Sequence, residues 1–387
     1  MPAAADPFLA DALELLPLIR SDAAEAEHLG HVTDRVAEAF RASRLPRMLV
    51  SADIGGGGAR IPQTIPVCQA LSSADGSTGW ALTFAMTGVV FGNFLPRATY
   101  DALFSNPGNG LAGAFSPMSV AADAVEGGFR VTGKSSYNSA HRFASHLMMG
   151  GVVRRNGQVS MNGPVPEFRG FLLPKSEVTV IPNWPVSAMI ATESDDAQVT
   201  DVFVPESHTF SLMAPSPWRE GTERTLPLVS GLGVSIAAIG TGVARGALDV
   251  FREMAMTKIP GGTMSRLADQ AGPQIALAEA EGLWQAADLL LRGTIDAVWK
   301  MGDVQESFEP ADLAKLRSAM VTAVRLSRQA VETVRDFAGM NAVVRGSQFE
   351  RFSRDMGAVT QHVAVSASRY ENVGRVLMGL PQMGPIL

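Results

Sequence analysis

Cysteine is almost missing from this chain: Cys68 is the only one in 387 residues. A single thiol excludes an internal disulfide and any thiolate cage for a metal. Histidine is scarce too. The six (His28, His31, His141, His146, His208 and His362) show no HExxH or similar ligand spacing, so no metal is expected. Charged residues make up only 18%, and a net charge of −6 with dispersed Lys and Arg leaves no basic footprint for nucleic acid. The N-terminal MPAAADP lacks a basic stretch followed by an apolar one, so no secretory signal is expected. Long uncharged runs are also rare. One, Thr225 to Ala244, has the twenty residues needed to cross a bilayer. It is interrupted by Pro227, Gly231, Gly233, Gly240 and Gly242 and lacks flanking basic clusters and aromatic anchors, which favours a buried helix packed through small residues. A cytoplasmic protein with no membrane partner is the expectation.

What remains is an oily globular composition, 46% apolar, long enough for two or three domains. Residues 1–107 read as an N-terminal helical domain. Asp6-Pro7 makes a cap and first-turn pair ahead of Leu9, Leu13, Leu16 and Ile19, and Glu25 to Phe40 reads as a second amphipathic helix. Gln69 to Phe94 reads as two helices joined by a short turn at ADGSTGW (Ala74 to Trp80). Gly55 to Gly58 read as a flexible turn, since no GK[ST] follows to make a phosphate cradle. Residues 108–215 switch to short β-type runs punctuated by Gly, Pro and Asn, which predicts an antiparallel barrel or sandwich. Residues 216–387 return to long helical patterns, a bundle suited to oligomerisation. Gly240, Gly242 and Gly246 approach a dinucleotide fingerprint but follow no strand, so they read as close helix packing. The class is α+β: helices, a β domain, then a four-helix bundle.

The densest cluster of reactive side chains lies between Ser347 and Gly379. Wound as one helix, this segment places Asp355, Ala358, His362, Ser366 and Arg369 on a single face. Periodicity alone makes that a solvated polar stripe.

Three further motifs change the reading. ADGSTGW resembles a "dGSxxW" helix start, and AVEGGFRVTGKSSYNSA (124–140) resembles a "GGyrvsGrwxfxSG" strand pair. The stretch 169–205 resembles "flvP…W…GmxxTgS…dvfVP". In this order, with RFSRDMGAVTQH near the end, they resemble the acyl-CoA dehydrogenase fold over nearly the whole chain, and most closely its two-component flavin-dependent monooxygenase branch. Counted from Arg354-Asp355, the glutamate base of typical acyl-CoA dehydrogenases would fall at Val363, which cannot take a proton. His362 stands where the monooxygenase branch carries its histidine.

The resemblance implies a reduced FMN or FAD, delivered by a separate, diffusing flavin reductase. Dioxygen would add at the flavin C4a to give a hydroperoxide that oxygenates a small aromatic or heteroatom-containing substrate. It also implies His362 and Ser139 as catalytic groups, Ser139 near flavin N5, and Trp80, Ser116, Pro117, Ser139 and Arg266 as flavin contacts, Arg266 toward the phosphate. Trp184 reads as core of the middle domain. A homotetramer built through the C-terminal helices follows from the same likeness. The chain departs from the pattern at Ala140 and Glu193, both glycine in the family. Two other readings stay open: an FAD-dependent dehydrogenase of acyl thioesters using Glu279, Glu281 or Asp288 as base, and a non-catalytic binding member of the fold.

Overall fold

Asp6 opens the first helix as its chemistry dictates. Its Oδ1 accepts the backbone N–H groups of Phe8 and Leu9 at 2.9 and 3.4 Å. The computed structural model describes residues 6–114, 116, 118–212, 217–219, 222–305 and 307–382, with the side chains of 224, 225 and 229 left aside. Helix α1 runs through Pro7–Leu29 and stops at Gly30, whose φ of 77° suits glycine. The second helix therefore starts later than expected, as α2 (Asp34–Ala42) behind the Thr33 cap. Helices α3 (Ile61–Ala74) and α4 (Gly76–Thr87) are parted by Asp75 alone, whose carboxylate accepts the Thr78 N–H at 2.8 Å. Helix α5 (Arg97–Phe104) closes this part.

The strands β1 (Leu111–Ala114), β2 (Val120–Val125), β3 (Gly128–Ser135), β4 (His146–Arg155), β5 (Gln158–Val159), β6 (Met161–Asn162), β7 (Val165–Pro166), β8 (Phe168–Pro174), β9 (Thr179–Ile181), β10 (Asp196–Pro205) and β11 (Thr209–Ser211) follow. Nine of them form one sheet in the order β11-β8-β4-β2-β3-β10-β9, with β1 and β5 on β4, and β6 and β7 pair separately. The expected antiparallel barrel or sandwich is thus a mixed sheet, because β1 and β2 both run parallel to β4. The cause is the crossing at 136–145, which returns the chain beside β2 instead of folding it back on β3. Alternate residues such as Phe129, Val131, Leu147, Met149 and Phe171 form the core of the sheet.

After the single turn α6 (Thr222–Thr225), the bundle comprises α7 (Leu228–Thr257), α8 (Ala271–Gly302), α9 (Pro310–Ala338) and α10 (Gln348–Val359), with α11 (Tyr370–Leu377) behind it. One apolar core joins these helices to α1, α3 and α4, so the two helical regions pack as one body. Helix α7 is long and apolar enough to cross a membrane, but 83% of its most apolar window is buried in the fold. Its small residues explain how. A Cβ on Gly242 would lie 2.5 Å from the Gln69 carbonyl oxygen, and one on Gly246 would lie 2.5 Å from the Phe352 ring. The first obstacle is backbone and has nowhere to move. Gly242→Ala is expected to cost about 1–3 kcal/mol of stability, read from chemical denaturation, despite alanine's better helix propensity. Unchanged stability would show that α3 and α7 can move apart.

The C-terminal segment is not the continuous helix that the sequence suggested. Helix α10 ends at Val359, and His362 stands in the turns beyond it. Val359 and Thr360 are β-branched, and the Thr360 hydroxyl bonds back to the Gly357 carbonyl at 2.6 Å. The His362 ring also takes a backbone donor, the Ala364 N–H at 3.2 Å. Asp355 and His362 therefore act from different elements.

Candidate active site

Trp80 lies in the second turn of α4 and stacks on Phe84, one turn on, with ring centroids 5.0 Å apart. The His362 ring meets it edge-on at 5.6 Å. From the other side, the loop after β3 brings Ser139 to the Trp80 Nε1–H, which donates to its Oγ at 3.1 Å. That loop is pinned by Asn138, whose side-chain amide donates to the carbonyls of Ser135 and Asp195, both at 3.0 Å. Tyr137 and Ala140 take left-handed φ values of 66° and 64°, an uncommon conformation for residues with a Cβ. Trp80 thus touches both Ser139 and His362.

The hydroxyls behind Ser139 form a chain that the sequence did not reveal. Ser139 and Ser194 are 2.7 Å apart, as are Ser194 and Thr192, and Thr192 Oγ1 donates to the Met189 carbonyl at 2.8 Å. All three are at least 94% buried: Thr192 is 1%, Ser194 3% and Ser139 6% exposed. Each hydroxyl has one proton. Since Thr192 spends its proton on a carbonyl, Ser194 donates to Thr192 and Ser139 donates to Ser194. The protons run one way, from the indole to the carbonyl, and Ser139 keeps a lone pair as its remaining function.

Burial alone depresses the His362 pKa to about 4, so the imidazole is neutral near pH 7. The Ala364 N–H occupies Nδ1, which assigns the ring proton to Nε2. His362 can thus donate from Nε2 without carrying charge. Cys68 is buried on α3, its thiol pushed up to about 11 by burial, and is no nucleophile.

Arg354 and Asp355 serve the site as anchors. The Met189 N–H donates to Asp355 Oδ1 at 2.6 Å, and Arg354 reaches the Ser187 carbonyl at 2.6 Å and Glu27 at 2.7 Å. These contacts hold the loop that carries Thr192 and Ser194. A Cβ on residue 76 would lie 2.7 Å from Asp355 Oδ2, so glycine is required there. Burial, then the nearby Asp75 carboxylate, pushes the Asp355 pKa up to about 7. Trp184, expected in the core, is half-buried and donates to the Met189 carbonyl at 2.9 Å.

The other expected flavin contacts are placed less directly. Ser116 is half-buried just past β1, its N–H bonded to the Ala114 carbonyl, and Pro117 lies outside the described residues. Arg266 is 47% exposed in the α7–α8 loop and paired with Asp269, not with the hydroxyl cluster. The carboxylates considered for a dehydrogenase are engaged elsewhere: Glu281 with Arg245, Asp288 with Arg292 and Gln69, while Glu279 is exposed. Val363 occupies the glutamate position and is 49% exposed.

One grouping was invisible to spacing. Ligand atoms of His141, Glu193 and Asp195 lie within 4.8 Å of one another, with His141 Nε2 3.4 Å from Asp195. These are ligand types for a divalent ion, but the Lys175 ammonium, bonded to the His141 carbonyl at 2.6 Å, puts a competing cation beside them. A separate cavity, lined by Val90, Phe94, Leu228 and Trp299 among others, lies beyond the far end of α4 and includes none of Trp80, Ser139 or His362.

A buried aromatic wall, a lone pair at Ser139 and a neutral donor at His362 fit a planar redox cofactor that needs a dry site. Comparison with known proteins agrees. Residues 234–367 match the family described as acyl-CoA dehydrogenase, C-terminal domain. The chain is 28% identical to indole-3-acetate monooxygenase of Pseudomonas putida, over 93% of this chain and 90% of that protein. It is 26% identical to the flavin-dependent monooxygenase, oxygenase subunit HsaA, of Rhodococcus jostii (strain RHA1), over 95% and 97%. Among solved structures it is similar to XiaF from Streptomyces sp. in complex with FADH2 and glycerol, with a TM-score of 0.89, 21% identity and coverage of 98% and 97%. With valine where a dehydrogenase base would stand and His362 facing Trp80, the chain is similar to the flavin-dependent monooxygenases of the acyl-CoA dehydrogenase fold.

Proposed function

We propose that this protein is the oxygenase component of a two-component monooxygenase, receiving reduced FMN or FAD from a separate reductase. It would use dioxygen to oxygenate a small aromatic or heteroatom-containing substrate. The observation that carries this reading is the direction of the hydroxyl chain. Ser139 offers a lone pair to whatever lies beside it, which matches an N–H such as reduced flavin carries at N5 and not the bare N5 of the oxidised form.

Bound reduced flavin supplies the electrons and, with dioxygen, the transferred oxygen atom. The chain's own residues do the rest. Ser139, held by Trp80 and Ser194, fixes an N–H donor in the ring plane. Trp80 and Phe84 keep water from that side. His362 donates from Nε2 to an oxygen without adding a proton to the site, and it accepts a substrate proton only if Nε2 first gives up its own. Ser116, Pro117 and Arg266 are retained as outer contacts, Arg266 for a cofactor phosphate. We place the protein in the cytoplasm as a homotetramer, for which exposed Ile275, Leu289, Leu377 and Met378 on and beside the bundle leave apolar surface to cover.

Anaerobic titration with FMN and FAD, each reduced and oxidised, tests the proposal. Reduced flavin is expected to bind about tenfold tighter or better than oxidised, and Ser139→Ala to erase that preference. Mixing the reduced complex with oxygenated buffer and an indole or phenol should yield a product one oxygen heavier. Flavin that reoxidises as fast as it does free in buffer, with hydrogen peroxide as sole product, would reject the reading.

A further inference from the structure

Two arginines approach each other behind the His362 turn with no acid between them among the described residues. Arg317, on the second turn of α9, is only 8% exposed, and its one hydrogen bond is a long contact from Nη1 to Gln382 Oε1 at 3.3 Å. Arg369, in the turn before α11, has its Nε buried without a partner. Burial, and then the Arg369 charge, lower the Arg317 pKa. Among the described residues no carboxylate pairs with either one, whereas Arg351, the other buried arginine described and also 8% exposed, lies beside Glu27 and Asp75. The Thr322 and Tyr370 hydroxyls, 2.7 Å apart, clamp α9 to this turn.

A buried cation without a counter-ion is costly, and a second, half-buried one beside it adds to the cost. Guanidinium forks suit one class of partner, the planar or tetrahedral oxyanion. The position relative to the site is also fixed. The N–H of Ser366 bonds to the His362 carbonyl and the N–H of Arg369 to the Ser366 carbonyl, at 2.9 and 3.0 Å, so two backbone steps join the main chain of His362 to that of Arg369. One turn beyond Arg317 on α9, Met320 meets Ala364 and Gly233, the packing that backs the same turn.

We propose that Arg317 and Arg369 form a receptor for an oxyanion borne by a ligand of the active site. The group is a carboxylate on the substrate ring or a phosphate on the reduced flavin. This deepens the monooxygenase reading and rests on it: the substrate of that reaction, or its cofactor, is anchored by charge at one end while its reacting atom lies beside His362.

Calorimetric titration of the full-length protein separates the sources. The probes are indole-3-acetate against indole-3-acetamide, and, anaerobically, reduced FMN against reduced riboflavin. Arg317→Met and Arg369→Met are each expected to weaken one anionic probe by about tenfold or more and leave its neutral counterpart unchanged. Loss at the acetate assigns a substrate carboxylate, and loss at FMN assigns the flavin phosphate. Arg317→Lys should keep part of the anionic preference. Without ligand, Arg317→Met should melt no lower than the wild type, because it removes an uncompensated buried charge. A lower melting temperature would mark Arg317 as a structural cation and overturn the proposal. So would a wild type that prefers neither anionic probe, or a preference that survives both methionine variants. Reduced riboflavin binding unchanged in those cases would leave the flavin reading standing.

Discussion

His362→Ala lowers oxygenated product by roughly 10²–10⁴-fold, while reduced flavin still binds and oxygen is still consumed as hydrogen peroxide. The expectation follows from the place of the ring. It touches Trp80 edge-on and contributes no charge, so its loss removes a directed hydrogen bond without unbalancing the site. Product by mass spectrometry and peroxide by a coupled assay, measured together, decide the matter. Equal loss of both would mean that His362 holds the flavin instead. The pH profile carries a sign. The unfolded imidazole gains a proton as pH falls through its ordinary value of 6.5, but the folded one does so only near 4. Below about 6.5 the unfolded chain therefore binds more protons, and stability falls as pH drops, by about 3 kcal/mol at the full shift. His362→Gln should lose this slope. Activity should hold below pH 6 and fail as pH nears 4.

Asp355→Asn has the opposite pH signature and a comparable size. Here the folded pKa is raised, to about 7 from 3.8. Between those values the folded carboxyl keeps a proton that the unfolded one has lost, so the wild type loses stability as pH rises from about 4 to 7. The full shift corresponds to about 4 kcal/mol. Asparagine keeps an oxygen for the Met189 N–H and removes the repulsion with Asp75. The variant should match the wild type near pH 4 and exceed it by a few kcal/mol at pH 8. Thermal unfolding across that range is the measurement, and parallel curves for the two proteins would show that Asp355 is already ionised when folded. Asp355→Ala, in contrast, leaves the Met189 N–H unbonded and frees the loop bearing Thr192 and Ser194, so more peroxide should escape from it at every pH.

Much of the fold was legible because its signals are local. Asp6-Pro7 and Asp75 cap helices through atoms two or three residues away, and the small residues of α7 announce close packing wherever they lie. Trp80, Ser139 and His362 were nameable only because their motifs resemble a family's, and the fold then brought them together. The rest was illegible for a physical reason. The Asp355 bond to Met189 spans 166 residues, and the hydroxyl chain joins Ser139 to residues 55 positions on. No periodicity encodes such pairs. The end of α10 was missed because weak helix formers near 360 lose to a polar contact that exists only once His362 is turned inward. The parallel pairing of β2 with β4 depended on the route of 136–145, which alternation cannot show.

The hydroxyl chain has one further property. Reversing it so that Ser139 donates outward takes the Thr192 proton away from the Met189 carbonyl, which is left with the Trp184 Nε1–H alone. Readying Ser139 to meet an oxidised flavin with a proton therefore costs one hydrogen bond, about 1 kcal/mol. A carrier that arrives charged with electrons would find a ready partner for its N5, and the same carrier, once emptied, would find one only at that cost. Such a site sheds its spent cofactor for the reason that it admits the fresh one, so exchange with a diffusing reductase needs no gate.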